Sequence, residues 1–592
     1  MGLLTLVAYG QAIFYPFVHD DLAFIAENPR IRNFDLQFIL FEPSVPGWNI
    51  TLANTYYRPF LEVLYRLQFK AFGENPLGYH LFNIVLHIFN SWLVYMLLAH
   101  IFQKKKEYAL AGRLPAGGGA VVFLLHPIQT ETVVCVSGVS NLMFVSFSLI
   151  SLLCYIHSAN GQNRKWHICS LFAFFLALLS KEHAVVLIGL IFLYELILST
   201  SVEKEKNFSW VFPILWFTAL LGVYFLIRQI FLGTALGGQL VFNEEMKLRV
   251  LAIPRTVLTY LQLVFFPVGL HYYRHIDILQ SNISSWIIIS MLISILGFLL
   301  YQAQREERKV MIFGLFWFLV AMAPVLNILP LISEYSFILT SEHFLYFPLI
   351  GLVVFLVGLV EMCRRKINHP SLHRIGRYIF ILLCLVLAVL TTRQTTYWRN
   401  EVVLFERTMI FEKEFGRGYD LLTKAYLKSK NFPKAVQSAT KGITIFLGYA
   451  NKVENPQIKE FYLRFASGLY KDLGIAQRSL GQLQEAVQSY ERAYQYHGEW
   501  RNDSAKKEIL FLMGSAHMEL GAYPRAIPYL KEVIAIDNKN PDIWNNLGVV
   551  YIETGKKNEA KEIFEYILKE INPEYVPAQN NLKRLLSENN DK

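Results

Sequence analysis

Charged residues are scarce for a chain of 592 residues: Asp, Glu, Lys and Arg together make up 17% of the sequence. A soluble domain carries about 25% charged residues. Hydrophobic residues make up 54% of this chain, and its mean hydropathy is +0.33. The composition excludes a single large water-soluble enzyme, and it excludes a disordered chain because disordered chains have low hydrophobicity.

Cysteine is also rare. All five cysteines lie in or beside apolar segments, and none has the spacing of a metal site; they are Cys135, Cys154, Cys169, Cys363 and Cys384. The last third of the chain contains no cysteine, so its fold needs no disulfide.

Long apolar segments, in contrast, fill the first two thirds of the chain. They come in blocks of roughly 17–25 residues, the length that a helix needs to cross a bilayer. The blocks stop near Thr391, and the sequence from Trp398 onward is typical of a soluble domain. We predict about eleven crossings, at residues 2–18, 77–101, 114–125, 132–157, 166–179, 184–199, 210–231, 286–301, 310–324, 344–361 and 378–391.

Basic residues cluster in five loops between the predicted crossings. In chain order the clusters are residues 104–106, 164–165, 204 with 206, 305–309 and 364–366. With a cytoplasmic start and eleven crossings, all five face the cytoplasm, as the positive-inside rule requires. The C-terminal third then lies outside the cytoplasm. The net charge of +10 is accounted for by such loops, and we expect no nucleic-acid partner.

One apolar run, residues 250–266, is not predicted to cross the membrane. A crossing there would turn the basic clusters at 305–309 and 364–366 outward, and Pro254 disfavours a straight helix near its start. We expect a re-entrant or surface-lying segment on the extracytoplasmic side. A cleaved signal peptide is the alternative interpretation of residues 2–18, although that segment has no basic start.

The last third of the chain repeats with a period of 34 residues. Gly514 and Gly548 are one period apart, and so are Ala526 and Ala560. Small residues at this spacing are typical of tetratricopeptide (TPR) repeats, in which two helices of one repeat touch. The concave face of such an array binds peptides. A spacer or an assembly surface is the alternative role.

Together these patterns predict an all-α chain with two domains. Residues 1–396 form a polytopic helical membrane domain, and residues 397–592 form an extracytoplasmic TPR α-solenoid. The repeats number about four, and a capping helix follows them.

Acidic residues stand at the predicted outward edge of the membrane. Asp20 and Asp21 directly follow the first crossing. Paired carboxylates at a membrane edge are costly unless they bind a cation, a sugar or a proton. The alternative is that they only end the helix in water. Two adjacent acids on a loop can also point in different directions, one toward a substrate and the other toward a partner or metal.

Further polar residues follow later crossings on the same predicted side. His126 and Glu131 could approach the Asp pair and form an oxygen and imidazole site for a divalent ion or for sugar hydroxyls. A polar turn is the alternative. Lys181 is suited to a phosphate at the interface, and its alternative role is an interfacial anchor. Acids, histidines and cations thus collect on one membrane face, which indicates one outward-facing site.

These residues resemble a known family, the transmembrane and TPR-containing O-mannosyltransferases within the GT-C superfamily of lipid-linked glycosyltransferases. The segments that carry the resemblance are Phe-Val-His-Asp-Asp (17–21), Tyr-Tyr-Arg-Pro-Phe (56–60), His-Pro-Ile-Gln-Thr-Glu (126–131), Leu-Leu-Ser-Lys-Glu (178–182), Ser-Glu-His-Phe-Leu-Tyr-Phe-Pro (341–348) and Tyr-Trp-Arg-Asn (397–400). The resemblance covers nearly the whole chain and implies a GT-C-like membrane domain.

The resemblance implies a polyprenyl-phosphate or dolichyl-phosphate sugar as donor, with mannose as the usual sugar. It implies inverting transfer to a Ser or Thr hydroxyl of a protein, with one loop carboxylate as general base. By family analogy Asp20 is the first choice for this base and Asp21 the second. Arg58 and Lys181 would hold the leaving phosphate. Other residues expected to bind the donor are Glu182, Arg274 and Glu342.

The sequence departs from the family pattern at His343, where we expect a basic residue such as Arg. Animal members often have a longer repeat array, and the short array here favours a bacterial inner membrane, with the endoplasmic reticulum as the alternative. A divalent cation is an open expectation. Two other functions stay open: the same donor with a glycan or lipid acceptor, and a non-catalytic membrane scaffold with TPR repeats. A scaffold would have no need of Asp20.

Overall fold

The computed structural model describes residues 1–34, 39, 57–103, 113–161, 164–199, 211–232, 244–277, 283–326, 337–367, 369–454, 456–497 and 503–590. The chain divides into two compact units, Met1–Arg407 and Thr408–Lys592. Each is described by itself. The predicted basic clusters at 104–106 and at 204 and 206, together with Tyr56 and Trp210, lie outside the described residues.

The first unit is built almost entirely of helices. Its α-helices are α1 (Gly2–Tyr9), α2 (Pro59–Phe72), α3 (Pro76–Gln103), α4 (Arg113–Leu125), α5 (Thr130–Val134), α6 (Val139–Gly161), α7 (Arg164–Ser180), α8 (Val186–Leu193), α9 (Val211–Leu232), α10 (Glu244–Phe265), α11 (Ile283–Gln302), α12 (Arg305–Met322), α13 (Pro348–Lys366), α14 (Pro370–Thr396) and α15 (Glu401–Phe411). Its 3₁₀ turns are Gly10–Phe14, Pro29–Arg32, Pro127–Gln129, Val136–Gly138, Glu182–Val185, Ala323–Leu326 and Glu342–Leu345. Its π-helical turns are Leu22–Ala26 and Tyr194–Leu198.

Two short strands add a small antiparallel ribbon. Strand β1 (Arg274–Asp277) pairs with strand β2 (Phe337–Thr340), and Arg274 lies opposite Thr340. The helices confirm the predicted all-α class. The two-stranded ribbon is a small departure from it.

Each predicted crossing overlaps helical segments in the described residues, although the first becomes extended after Phe14. Within the described residues, six helical segments are long and apolar enough to span a bilayer: Pro76–Phe102, Val136–Ala159, Pro213–Phe231, Ile283–Gln302, Arg305–Leu326 and Ser371–Thr396. Two shorter apolar segments are Gly2–Phe14 and Leu114–Leu125. The remaining predicted crossings coincide with α7, α8 and α13, so the number eleven stays a prediction. The run at 250–266 lies in α10, which contains Pro254.

The membrane helices differ in how far the protein covers them. The apolar window of α6 is 78% buried, whereas that of α11 is 6% buried and that of α14 is 11% buried. Apolar side chains on α11 and α14 need no protein cover in a bilayer, because lipid tails are as apolar as leucine. Helix α6 therefore lies inside the unit. The candidate site described below lies near its start.

Helices α12 and α13 approach each other closely at two glycines. A Cβ at Gly314 would lie 2.6 Å from the Gly351 carbonyl oxygen, and a Cβ at Gly351 would lie 2.6 Å from that of Gly314. Small residues allow such backbone contact between membrane helices. The contact fixes the start of α13, which follows the site residues at 341–343.

A buried polar network joins α3, α6 and the start of α13. His87 Nδ1 is 2.8 Å from the Tyr346 hydroxyl, and Asn90 donates to the same hydroxyl at 3.2 Å. Ser146 donates to the Asn90 side-chain oxygen at 2.6 Å. Hydrogen bonds between helices hold a bundle together where hydrophobic burial gives no driving force.

The second unit is an array of antiparallel helix pairs. Its helices are α16 (Gly416–Lys428), α17 (Phe432–Lys452), α18 (Pro456–Ser479), α19 (Leu483–His497), α20 (Asp503–Glu519), α21 (Tyr523–Ile536), α22 (Pro541–Glu553), α23 (Lys557–Tyr566) and α24 (Val576–Asn590), with a π-helical turn at Ile567–Ile571. These make four pairs and a final capping helix. The predicted solenoid is confirmed.

The 34-residue period has a direct structural cause. A Cβ at Gly548 would lie 2.6 Å from the Phe564 ring, and a Cβ at Gly514 would lie 3.0 Å from Leu530. In each of these two repeats, a large side chain of the second helix thus packs against the glycine of the first helix. Three turns between the paired helices contain a glycine with positive φ: Gly481, Gly521 and Gly555. Glycine adopts this conformation without steric cost.

Candidate active site

Loops from distant parts of the first unit meet at one edge of the helix bundle. The Ser137 amide donates to Asp21 across 116 residues of sequence, and the Ser341 hydroxyl donates to Glu131 across 210 residues. Ser341 also donates to the Tyr272 carbonyl oxygen at 3.4 Å. These hydrogen bonds connect the loops that carry Asp21, Glu131, Tyr272 and Ser341.

The two neighbouring aspartates have opposite surroundings. Asp21 is buried, and one of its oxygens accepts from the Ser137 amide at 2.7 Å while the other accepts from the Val18 amide at 3.3 Å. Burial raises the pKa of Asp21 to about 6, although these hydrogen bonds oppose the shift. The Asp20 side chain is 49% exposed. Asp21 thus ties down its loop, and Asp20 is the carboxylate open to a ligand.

His19 precedes the pair in an unusual backbone conformation. Its φ is +54°, in the left-handed region. Its imidazole Nδ1 lies 3.5 Å from an Asp20 oxygen, and its ring meets Tyr272 edge-on with centroids 4.5 Å apart. Tyr272 is buried, and the charge of Asp20 helps to raise its pKa, which burial already raises strongly.

Glu131 is held by a loop 210 residues away. Its Oε1 lies 2.7 Å from both the Ser341 hydroxyl and His343 Nδ1, and its Oε2 accepts from the His343 amide at 2.9 Å. Burial acts to raise the pKa of Glu131, but His343 and these hydrogen bonds hold it below its usual value. His343, the departure from the family pattern, is therefore the ion-pair partner of Glu131 when its ring is protonated.

Arg58 and Glu182 form a two-bond ion pair. Arg58 Nε donates to Glu182 Oε2 at 3.0 Å, and Nη2 donates to Oε1 at 2.7 Å. Each side chain is 11% exposed. Burial acts to raise the pKa of Glu182, but the Arg58 guanidinium outweighs it and holds the pKa far below its usual value. The prediction placed both residues on the donor, whereas the structure commits the Glu182 carboxylate to Arg58.

Lys181 lies beside this pair at the polar end of a small cleft. Its ammonium donates to the Asn141 side-chain oxygen at 2.6 Å and lies 5.7 Å from the centre of the Phe344 ring. Burial, reinforced by the charge of Arg58, lowers the pKa of Lys181 to about 7. The cleft is lined by Asn141, Phe144, Val145, Lys181, His183, Val186, Ala321, His343, Phe344, Tyr346, Phe347 and Pro348. It offers a basic polar end and a mostly apolar wall.

Arg274 and Glu342 form a third cluster on the same edge. Arg274 Nη2 lies 3.2 Å from Glu342 Oε1, which also accepts from the His271 amide at 2.7 Å. Burial raises the pKa of Glu342 to about 8, and Arg274 opposes the shift. Arg274 also donates to the Gly269 carbonyl oxygen at 3.1 Å. The two residues predicted to bind the donor are therefore paired with each other.

His126 and Glu131, the residues predicted to hold a divalent ion, bind other groups in the structure. His126 Nδ1 accepts from the Ile128 amide at 3.2 Å, and Nε2 lies 2.9 Å from the Val264 carbonyl oxygen. Both ring nitrogens are thus used by the main chain, and burial lowers the pKa of His126 to about 4. Glu131 binds Ser341 and His343 instead. Across the described part of the chain, no group of three His, Cys, Asp or Glu residues could hold a metal ion.

Two residues near the site, Asn141 and Glu401, were not predicted from the sequence. Asn141, which binds Lys181, lies beside Ser140 at the start of α6, and a polar side chain there is a signal in a membrane helix. Glu401, whose side chain accepts from the His19 amide at 3.3 Å, gave no such signal. It lies 382 residues from its partner, and no local pattern connects the two.

Comparison with known proteins supports the resemblance found in the sequence. The chain is 23% identical over its full length to the protein O-mannosyl-transferase TMTC3 of Homo sapiens, of which the alignment covers 69%. It is 23% identical to the Mus musculus protein of the same name, with 92% of this chain and 64% of that one aligned. The chain therefore spans about two thirds of the length of these relatives.

Other similarities cover only part of the chain. Protein O-mannosyl-transferase F38B6.6 of Caenorhabditis elegans is 28% identical over 31% of this chain and 26% of its own length. Tetratricopeptide-repeat family models match residues 471–541 and 517–586. A solved TPR protein with an unusual peptide-binding site, YrrB, is 15% identical over 32% of this chain and 84% of its own, with a TM-score of 0.26. The chain is thus similar along its full length to a protein O-mannosyl-transferase and carries tetratricopeptide repeats in its C-terminal unit.

Proposed function

We propose that this protein transfers a sugar from a polyprenyl-phosphate or dolichyl-phosphate donor to Ser and Thr hydroxyls of proteins, with mannose as the sugar. The relatives named protein O-mannosyl-transferases support the reaction class. The observation that carries the proposal is the half-exposed carboxylate of Asp20 on the same connected edge as the basic end of an apolar cleft.

Contacts connect these two features step by step. His19, next to Asp20, packs on Tyr272. The Tyr272 carbonyl accepts from Ser341, and Ser341 shares Glu131 with His343. His343 lines the cleft with Lys181. This series of contacts supports a base and a phosphate site at one edge of the membrane unit.

In the proposed reaction, Asp20 is the general base. An Asp20 oxygen takes the proton of the acceptor hydroxyl, and the hydroxyl oxygen forms a bond to C1 of the sugar. The bond between C1 and the phosphate oxygen breaks, and its electron pair leaves with the lipid phosphate. Attack from the side opposite the leaving group inverts C1. Asp21 suits this role less, because its two oxygens already accept from main-chain amides.

Lys181 is the residue we assign to the leaving phosphate. Its protonated form would stabilise the charge that grows on the phosphate as the glycosidic bond breaks. Arg58 adds positive charge beside Lys181 while it holds Glu182. Arg274 and Glu342, bound to each other, support the loop at 341–343 instead of contacting the donor.

The TPR unit is proposed to engage the protein acceptor or a partner protein. Two alternatives keep parts of this account: a glycan or lipid acceptor with the same donor, and a membrane scaffold without activity. The reaction is tested with the purified full chain in lipid nanodiscs. Labelled polyprenyl-phosphate mannose and a Ser/Thr-rich peptide should give labelled peptide, and the double variant Asp20→Asn/Asp21→Asn should give none.

Other outcomes of that assay decide between the alternatives. Transfer to an added glycan or lipid but not to peptide would overturn the protein acceptor and keep the donor. Transfer from a nucleotide sugar alone would overturn the lipid donor. No transfer with any donor, with unchanged binding of protein partners by the repeats, would favour the scaffold.

We also propose that the edge and the repeats face away from the cytoplasm, either in the bacterial periplasm or in the lumen of the endoplasmic reticulum. The five basic loops support this side. The test places a cysteine at Ser587 in a variant lacking the five native cysteines. An impermeant thiol reagent should label it in spheroplasts, or in microsomes only after permeabilisation. The reversed pattern would overturn the predicted topology.

A further inference from the structure

The loop that carries Asp20 is held in a strained conformation. His19 has φ +54°, a conformation that residues other than glycine rarely adopt. Such a conformation persists only where the surrounding structure enforces it. The contacts of His19 therefore show what sets the direction of Asp20.

Those contacts come from a helix at the far end of the first unit. The Glu401 side chain, at the start of α15, accepts from the His19 amide at 3.3 Å. The His19 ring meets Phe405 of the same helix edge-on with centroids 5.7 Å apart. On its other side it meets Tyr272. His19 is thus held both at its main chain and at its ring.

This part of α15 is itself anchored. Phe405 is buried, with 1% of its surface exposed, and Arg407 donates to the Leu270 carbonyl oxygen at 3.3 Å. The Arg407 guanidinium also lies 4.3 Å from the centre of the Tyr397 ring. Just before the helix, the buried Trp398 packs edge-on against Tyr272. These contacts hold the start of α15, and with it Glu401, in place.

We infer that Glu401 is a positioning residue for sugar transfer: through the left-handed turn at His19 it fixes the direction in which the Asp20 carboxylate faces the acceptor hydroxyl. This inference rests on the proposed function, in which Asp20 is the base. Glu401 touches neither reactant. Its effect comes from geometry, because displacement of a reacting group by about 1 Å costs roughly 100-fold in rate.

The proposed role of Glu401 predicts an effect on kcat and none on the KM for the donor. Glu401→Ala should lower kcat about 10–100-fold and leave the KM for the lipid-phosphate sugar unchanged, since Lys181 and the cleft are untouched. Glu401→Gln should keep most of kcat, because its amide oxygen can still accept from the His19 amide. A matched control is Glu414→Ala, an exposed carboxylate in the next loop, which should leave kcat and KM as in the wild type.

A second pair of variants isolates the backbone. His19→Gly and His19→Ala both lose the imidazole, but only glycine adopts positive φ freely. His19→Gly should therefore keep a several-fold higher kcat than His19→Ala. This pair also tests the inference if Glu401→Ala fails to fold, and equal kcat values for the two would overturn it.

The outcomes distinguish this inference from the proposed function. Normal transfer by Asp20→Asn would overturn the base and the positioning role together. Loss of transfer in Asp20→Asn, with full kcat in Glu401→Ala, would overturn the positioning role alone. A rise in KM with unchanged kcat in Glu401→Ala would also overturn it, because it would place Glu401 in donor binding.

Discussion

The ion pairs at the candidate site of the membrane unit and one ion pair between the repeats have different surroundings. In the membrane unit, the Arg58–Glu182 pair has side chains 11% exposed, and the Arg274–Glu342 pair has side chains 9% and 1% exposed. In the repeat unit, Lys471 pairs with Glu508, whose side chain is 52% exposed. The pairs on the edge of the membrane unit are buried, whereas this pair between repeats is in contact with water.

The difference indicates what each set of charges does. An exposed pair is worth little, because water screens it and the long side chains lose freedom. A buried pair costs desolvation, and replacing both partners by apolar side chains is often neutral. The buried pairs of the edge are therefore not explained by stability alone. Their position around Lys181 and Asp20 agrees with a role in holding a charged site in shape.

The largest expected effect on stability is at Arg58. Arg58→Ala leaves the Glu182 carboxylate buried without its guanidinium, which should cost about 3–5 kcal/mol in the free energy of unfolding. The matched control Arg58→Met/Glu182→Leu removes both charges and should cost much less. Thermal unfolding in detergent measures both. Equal destabilisation by the single and double variants would show that packing, and not the unpaired charge, is the cause.

A smaller effect is expected at a repeat glycine. Gly548→Leu should overpack the contact with Phe564 and cost about 1–3 kcal/mol, with protease sensitivity confined mainly to neighbouring repeats. Gly468 is the control, because a Cβ there meets nothing within 4 Å. Gly468→Ala should stabilise helix α18 slightly, since alanine favours a helix over glycine. Unchanged melting of Gly548→Leu would mean that the assigned repeat register is incorrect.

The next effect is a pH dependence of the reaction. The pKa of Lys181 is about 7, so its ammonium is present below about pH 7 and is lost as the pH rises. We expect kcat/KM for the lipid-phosphate sugar to fall above about pH 7, by up to tenfold per unit. Lys181→Arg keeps the charge at all these pH values and should flatten the decline. A wild-type profile that is flat between pH 6 and 9 would contradict the phosphate role of Lys181.

The smallest effect is expected for the exposed pair of the repeats. Lys471→Ala should change the free energy of unfolding by about 0.2–1 kcal/mol, and high salt should reduce the difference. Chemical unfolding of the full chain at two salt concentrations measures it. A loss as large as that of Arg58→Ala would break the contrast between the two units.

The repeat unit and the membrane unit also differ in how much of their structure could be predicted from the sequence. The repeats are periodic, and the residues that define them, such as Gly548 and Phe564, lie within one repeat. Local spacing therefore predicts their fold, and the structure and the family models confirm it. The apolar blocks likewise predict helices, because length and hydropathy are local properties.

The site could be predicted only in part. The sequence indicates that Asp20, Lys181 and other polar residues collect at one edge, and the structure joins their loops. It does not indicate their partners, because Arg58 and Glu182 are 124 residues apart and His343 and Glu131 are 212 apart. For this reason the sequence predicts Glu182 on the donor and a metal site shared by His126 and Glu131, whereas in the structure Glu182 binds Arg58 and Glu131 binds His343.

The most direct test of the central claim compares Asp20→Asn with Asp21→Asn in one transfer assay. Asparagine keeps the shape of aspartate and removes its basicity, and loss of a general base costs about 10²–10⁴-fold in rate. We predict this loss in kcat for Asp20→Asn, with folding and donor binding unchanged, and a smaller loss with lower thermal stability for Asp21→Asn. Normal transfer by Asp20→Asn, together with complete loss in a well-folded Asp21→Asn, would contradict the account.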